Sequence, residues 1–220
     1  MKEKIHTYES DHIKVSYDLN RCIHAAECVK GLRKVFDPNK RPWIQPEHAS
    51  PDTIADIVPR CPTGALHFER KVAGEEEKPP PKNTISITPD GPVYLRGRIE
   101  VQDHEGNILL RDTRFALCRC GKSANKPACD NSHADAGFEA PAYFNKSALE
   151  EAKNDTEPGK FVLRVMKNGP VLVEAEGSYQ IYSETTQPVR CSGKIALCRC
   201  GGSSNKPFCD STHKKIGFEG

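Results

Sequence analysis

The chain has 220 residues, 32 of them basic and 30 acidic, with a formal net charge of +2 and both signs mixed along its length. That mixture offers no basic stripe of the kind nucleic acid requires, and no stretch approaches the roughly 18 apolar residues of a membrane span. A hydrophobic fraction of 36% and a mean hydropathy of −0.63 suit two or three small units, which below about 70 residues each need a staple besides side-chain burial. Residues 1–12 have no apolar leader and the ten cysteines are many for reduced thiols. Together these predict a cytoplasmic protein whose cysteines serve metals or redox chemistry.

In chain order, the predicted elements begin with a strand over 13–17, a helix over 24–35, a short strand at Trp43 and Ile44, and a helix opening after Ser50 and Pro51. Trp43 is expected in the core of this small α+β unit, 1–74. Within it, Cys22-Ile23-His24-Ala25-Ala26-Glu27-Cys28 is followed at a distance by Cys61-Pro62-Thr63-Gly64-Ala65. A bacterial ferredoxin run reads C-x2-C-x2-C with a distant C-P. Here the middle position is Ala25, which cannot ligate. The segment 21–68 resembles the divergent single-cluster ferredoxin family, its CPTGAL ending being the more specific part. The resemblance implies a [3Fe–4S] cluster on Cys22, Cys28 and Cys61, or a [4Fe–4S] cluster if water or His24 supplies a fourth ligand. Otherwise His24 is a surface position on the predicted helix, and the competing readings are zinc or an empty site.

Residues 75–83, EEEKPPPKN, predict an extended linker. Beyond it Cys118, Cys120, Cys129 and His133 recur 80 residues later as Cys198, Cys200, Cys209 and His213. Context recurs with them: FALCRCGKSANKPACDNSH at 115–133 matches IALCRCGGSSNKPFCDSTH at 195–213, each followed by GFE. Upstream, 85–87 and 161–165 read as strands, Asp90-Gly91-Pro92 and Asn168-Gly169-Pro170 as turns, and Val93 and Val171 open the next strands. Two mostly-β repeats follow, 84–145 and 160–220. Between them lies the polar segment 146–159, whose SALEEAKND stretch, 147–155, predicts one or two helical turns.

Three thiolates and an imidazole suit a thiophilic metal, zinc or iron–sulfur. Structural zinc sites usually place two to four residues between paired cysteines. A single residue separates Cys118 from Cys120, which aims two thiolates at one iron while Cys129 and His133 arrive on a second. The pattern C-x-C-x2-S-x3-P-x-C-D-x-[ST]-H resembles that of the CDGSH iron–sulfur domain family, the mitoNEET-like proteins, and over 84–220 the chain looks like a tandem member. The resemblance implies one [2Fe–2S] cluster on Cys118, Cys120, Cys129 and His133 and another on Cys198, Cys200, Cys209 and His213. Single-motif members dimerise by exchanging strands, so it also implies an intramolecular pseudo-dimer in a monomeric chain. The family's glycine is Asn131 in the first motif and Ser211 in the second. Serine tolerates left-handed backbone less well, which predicts a different geometry in the second loop. A lysine that approaches the ligand histidine in mitoNEET is replaced by Val93 and Val171, so that contact does not carry over.

Asp130 and Asp210 are predicted caps for the helix that delivers each histidine. Ser123 and Ser203 either donate to a bridging sulfide or tie the loop backbone, and Pro127 and Pro207 restrict φ in the loop. Arg119 and Arg199 are expected on the surface, and Cys191 as a semi-buried free thiol. No nucleophile–base pair or phosphate loop stands out, so the chain reads as a one-electron carrier between redox partner proteins rather than an enzyme. Its histidine ligands predict electron uptake coupled to proton uptake. The rival functions are transfer of a cluster to an apo iron–sulfur acceptor, and redox or pH sensing through partner binding.

Overall fold

Ile13, Val15 and Tyr17 alternate with polar residues, and this two-residue period buries one face of β2 (Ile13–Asp18). In the computed structural model, which describes residues 3–154 and 156–220, β2 is central in an antiparallel sheet between β1 (Ile5–Glu9) and β3 (Leu66–Arg70). The core is completed by Leu32, Val35 and Phe36 from the segment after α1 (Glu27–Gly31) and by Ile54 and Ile57 from α2 (Pro51–Ile57). Ser50 caps α2 by accepting from the Thr53 N–H at 3.2 Å, with Pro51 in the first turn.

Three expectations fail in this unit. The helix predicted over 24–35 shrinks to α1, because His24 and Ala26 take left-handed backbone, φ 57° and 62°, which a right-handed helix excludes. Trp43 and Ile44 form no strand; Ile44 makes a single bridge to Phe36, and Trp43 is only partly buried, edge-on to Tyr17. The acidic start of the expected linker is anchored, since Glu77 pairs with His67 at 3.1 Å and Arg70 donates to the Glu75 carbonyl. This compact unit therefore runs to Lys78, and Asn83 already opens the next strand.

The second compact unit, Pro79–Gly220, contains both repeats around one hydrophobic core. The first repeat supplies β4 (Asn83–Ile87), β5 (Val93–Gln102) and β6 (Ile108–Leu117). After β7 (Glu150–Glu151), the second supplies β8 (Lys160–Val165), β9 (Val171–Ala175), β10 (Tyr179–Ser183), β11 (Val189–Ser192) and β12 (Lys194–Leu197). The repeated Asp-Gly-Pro and Asn-Gly-Pro turns join equivalent antiparallel pairs, with Ile85 opposite Leu95 and Leu163 opposite Val173.

The parallel pairings cross between repeats. β4 lies beside β10, Ile85 opposite Ile181, and β8 lies beside the far half of β5, Leu163 opposite Val101. Each repeat thus lends its first strand to the other, in matching register. These four side chains are buried in the shared core, so slipping either strand by one residue would turn its apolar face outward. Of the one or two helical turns expected over 147–155, one 3₁₀ turn forms, at Lys146–Ala148, and Asp155 lies outside the described residues; β7 pairs with β11, satisfying backbone groups of an otherwise open edge. Cys191, on β11, is fully rather than half buried, and burial pushes its thiol up to about 11. Among the described residues no helix is long and apolar enough to cross a membrane.

Candidate metal centres

Each ligand loop begins where the last strand of its repeat ends, at Leu117 in β6 and Leu197 in β12, and a return bridge to Ala128 or Phe208 closes it. The Cys118 N–H donates to the Pro127 carbonyl at 2.9 Å and the Cys129 N–H to the Ala116 carbonyl at 2.8 Å; the second loop repeats both bonds at 2.8 Å. These closures set the donors in pairs. Cys118 Sγ and Cys120 Sγ are 3.7 Å apart, and Cys129 Sγ and His133 Nδ1 are 3.4 Å apart; the second loop gives 3.6 and 3.4 Å. A tetrahedral first-row ion with sulfur at about 2.3 Å and imidazole nitrogen at about 2.0–2.1 Å has an S–S edge of about 3.8 Å and an S–N edge of about 3.5 Å. Each pair therefore fits one edge of such an ion, and each loop presents two edges. No three donors among the described residues are grouped as a site for one ion.

The histidines stand on α3 (Ser132–Asp135) and α4 (Thr212–Lys215). The N-cap of α3 is Asn131, whose side chain makes no capping bond; Asp130, one residue earlier, accepts from the Ser132 N–H at 3.0 Å and pins the loop through the Ala124 N–H at 2.7 Å. Asp210 does the same for Thr212 and Ser204, at 3.0 and 2.8 Å. Ser123 donates to the Ala128 carbonyl and Ser203 to the Phe208 carbonyl, both at 2.7 Å, so the hydroxyl proton ties the loop. The geometric difference expected at Ser211 is not found: Asn131 and Ser211 share left-handed backbone, φ 75° and 69°. The hydrogen bonds of Asp210 on either side hold the serine there. Because αL costs an L-residue about 1–2 kcal/mol, Ser211→Gly is expected to stabilise the chain by about 1 kcal/mol, raising the thermal midpoint by about 2–4 °C. A scanning calorimetry trace with no rise would refute this.

Arg119 and Arg199 overturn the expectation of surface positions, being 1% and 2% exposed. Arg119 donates to the carbonyls of Gly91, Pro141, Thr88 and Ala140 at 2.7–3.1 Å and lies over the Phe138 ring. Arg199 donates to Gly169, Met166 and Gly220 at 2.7–2.9 Å and lies over Phe218. Their partners are the repeated turns and the repeated GFE, a signal present in the sequence but not connected to the arginines there. Burial pulls both guanidinium groups below the usual arginine range, opposed by Asp90 and the Cys198 sulfur at Arg119 and by the Cys118 and Cys200 sulfurs at Arg199. Each arginine therefore feels a cysteine sulfur of the other repeat.

The two loops also touch directly. Gly121 and Gly201 have φ of 77° and 79°, and a Cβ on Gly121 would fall 2.5 Å from the Cys200 carbonyl oxygen, one on Gly201 2.4 Å from that of Cys120. Glycine permits this mutual approach.

In the N-terminal unit, Cys22, Cys28 and Cys61 line one small cleft together with Tyr17, Ala25 and Trp43. Burial pushes the Cys28 thiol up to about 12, with the Cys61 and Cys22 sulfurs adding to the effect; a metal must displace such protons to bind. Thr63 Oγ1 stands 3.5 Å from Cys61 Sγ, and buried Arg21 donates to the Thr63 carbonyl at 2.6 Å, joining the two cysteine-bearing segments. His24 is exposed and lies outside the lining of the cleft.

Two family models match the chain. One, described as a divergent 4Fe-4S mono-cluster, covers residues 8–71, and the other, described as an iron-binding zinc finger of CDGSH type, matches twice, over 90–134 and 168–214. The chain belongs to the CDGSH family, as a tandem member with a single-cluster unit in front. The two CDGSH matches enclose the four-donor loops, and the mono-cluster match encloses the three-cysteine cleft, so the CDGSH chain is an iron–sulfur protein. The uncharacterized protein YjdI of Escherichia coli K12 is 33% identical over 64 residues, 29% of this chain and 84% of that protein, and YjdI of Escherichia coli O157:H7 matches equally. No solved structure matches the CDGSH chain.

Proposed function

We propose that this CDGSH protein is a soluble cytoplasmic one-electron carrier holding two [2Fe–2S] clusters and one [3Fe–4S] cluster. The observation that carries the reading is the donor layout: two tetrahedral edges per loop suit two irons. Cys118, Cys120, Cys129 and His133 would hold one cluster and Cys198, Cys200, Cys209 and His213 the other. Cys22, Cys28 and Cys61 would hold the third, with Ala25 lining the cleft where a four-iron run has cysteine. When bound, these groups supply one-electron chemistry. The protein's part is to hold the donors apart in pairs, to offset their charge with buried arginine, and to exclude water from Cys118 and Cys198. The reciprocal strand exchange supports reading the repeats as an intramolecular pseudo-dimer within a monomer.

Iron and sulfide analysis of anaerobically purified protein is expected to give about seven irons and about eight sulfides per chain. The oxidised protein should show a three-iron EPR signal that Cys61→Ser abolishes. Zinc at either repeat would overturn the reading. A second function, donation of a cluster to an apo acceptor, is favoured by the partial exposure of Cys200 and Cys209. Mixing loaded protein with an apo-ferredoxin and following acceptor absorbance separates the two.

Ligand charge sets the pH behaviour. With a neutral imidazole among three thiolates, the loop carries one negative charge fewer than four thiolates would, and an added electron favours protonation of that imidazole. Protonation with reduction means the midpoint potential falls as pH rises above the oxidised-state histidine pKa, by up to about 59 mV per pH unit. Redox titration at several pH values checks this; His133→Cys with His213→Cys should lower the potentials and flatten the slope. A flat wild-type profile would remove proton coupling from the reading.

A further inference from the structure

The two ligand loops agree in backbone and disagree in surface. At positions related by the repeat, α3 and the residue after it present Ala134, Asp135 and Ala136, whereas α4 and its successor present Lys214, Lys215 and Ile216. All six are exposed, and neither Lys214 nor Lys215 has a carboxylate partner among the described residues. Lys122 in the first loop corresponds to Gly202 in the second. Counting it, the first face is neutral, Lys122 against Asp135, while the second carries two uncompensated positive charges.

Apolar surface and access differ in the same direction. Ile216 is 53% exposed, and it leans into the space left by Gly202, where a Cβ would lie 3.0 Å from Ile216 Cδ1 and 3.8 Å from Cys200 Sγ. Cys120 and Cys129 are buried, whereas Cys200 and Cys209 are partly exposed. An exposed apolar side chain directly after two exposed lysines, next to partly exposed cysteines, has the composition of a transient docking patch. Redox encounters bury small areas, below about 1,200 Å² in total, and complementary charge steers them and fixes their orientation.

Resting on the carrier reading above, we propose that the surface around α4 docks an acidic redox protein, so that electrons cross the protein boundary at the second ligand set. The partner presents carboxylates beside an apolar surface, matching Lys214 and Lys215 beside Ile216. In the exchange the reduced partner loses one electron and this chain gains one. The first ligand set, with its neutral face and buried cysteines, then serves as the inner relay.

The test uses the full, cluster-loaded chain and an acidic plant-type [2Fe–2S] ferredoxin as probe. Oxidised probe is titrated into oxidised chain by calorimetry at low and high salt, and reduced probe is mixed with oxidised chain in a stopped-flow cell. Lys214→Glu with Lys215→Glu is expected to weaken binding at least tenfold at low salt and to abolish the salt dependence. Lys122→Glu with Lys146→Glu changes the net charge by the same amount and is expected to leave binding within about twofold. Equal weakening in both double variants, or wild-type binding insensitive to salt, would overturn the docking face. A wild-type chain that binds with the expected pattern yet accepts no electron would sink the carrier reading and leave the docking face standing.

Discussion

Arg119→Ala is expected to lower the unfolding free energy by on the order of 3–5 kcal/mol and to leave the repeats largely without iron. Arg119 is 1% exposed and reaches four carbonyls in two segments distant in sequence, Thr88–Gly91 and Ala140–Pro141. Its loss takes a charged donor from the Thr88, Gly91 and Pro141 carbonyls and opens a hole beside the Phe138 ring. Arg119→Lys should recover little, because one ammonium cannot span the spread of a planar fork. Urea denaturation and iron content, measured on the same preparations, check both statements. An alanine variant with unchanged midpoint and iron would contradict the assignment of Arg119 as the anchor of its loop. Arg199→Ala should act in the same direction through Gly169, Met166 and Gly220.

Gly121→Ala should damage the second ligand set as well as its own. The new Cβ meets the Cys200 carbonyl carbon at 2.8 Å and Cα at 3.2 Å, all backbone, which cannot rotate away. Strain from the left-handed φ adds about 1–2 kcal/mol. Gly137→Ala separates the two effects, since Gly137 also has positive φ, 57°, but nothing within 4 Å of its Cβ. The expected result is loss of iron from both repeats in Gly121→Ala and near-normal iron in Gly137→Ala, read by iron analysis and visible absorbance. Loss confined to one repeat in Gly121→Ala would show that the loops do not depend on each other's backbone.

The ligand loops were legible because their information is local. Cysteine spacing, Asp130, Ser123 and the start of α3 lie within one short run, and its recurrence at Cys198–His213 doubles the signal. Strands β4, β5, β8 and β9 were legible for the same reason, each flanking a turn with glycine and proline. Arg119 was misplaced because its partners lie in Thr88–Gly91 and Ala140–Pro141, distant in sequence, and an arginine's propensity carries no hint of buried carbonyls. The helix expected over 24–35 failed on backbone sign at His24 and Ala26, where alanine favours helix and the cysteine-bearing turn overrides it. Ser211 failed in the opposite sense: residue type argued against left-handed backbone, and the flanking Asp210 bonds prevailed.

Strand exchange bears on how such a chain matures during synthesis. His133 completes the first donor set early, but β5 still lacks β8 beside it, and β4 must wait for Tyr179–Ser183 to gain its parallel neighbour. Pairings of such long sequence separation form slowly and only once both strands exist. The Gly121 turn likewise has no opposing wall until Cys200 is made. The first loop therefore lacks these neighbours until β8, β10 and the Cys200 backbone have been made.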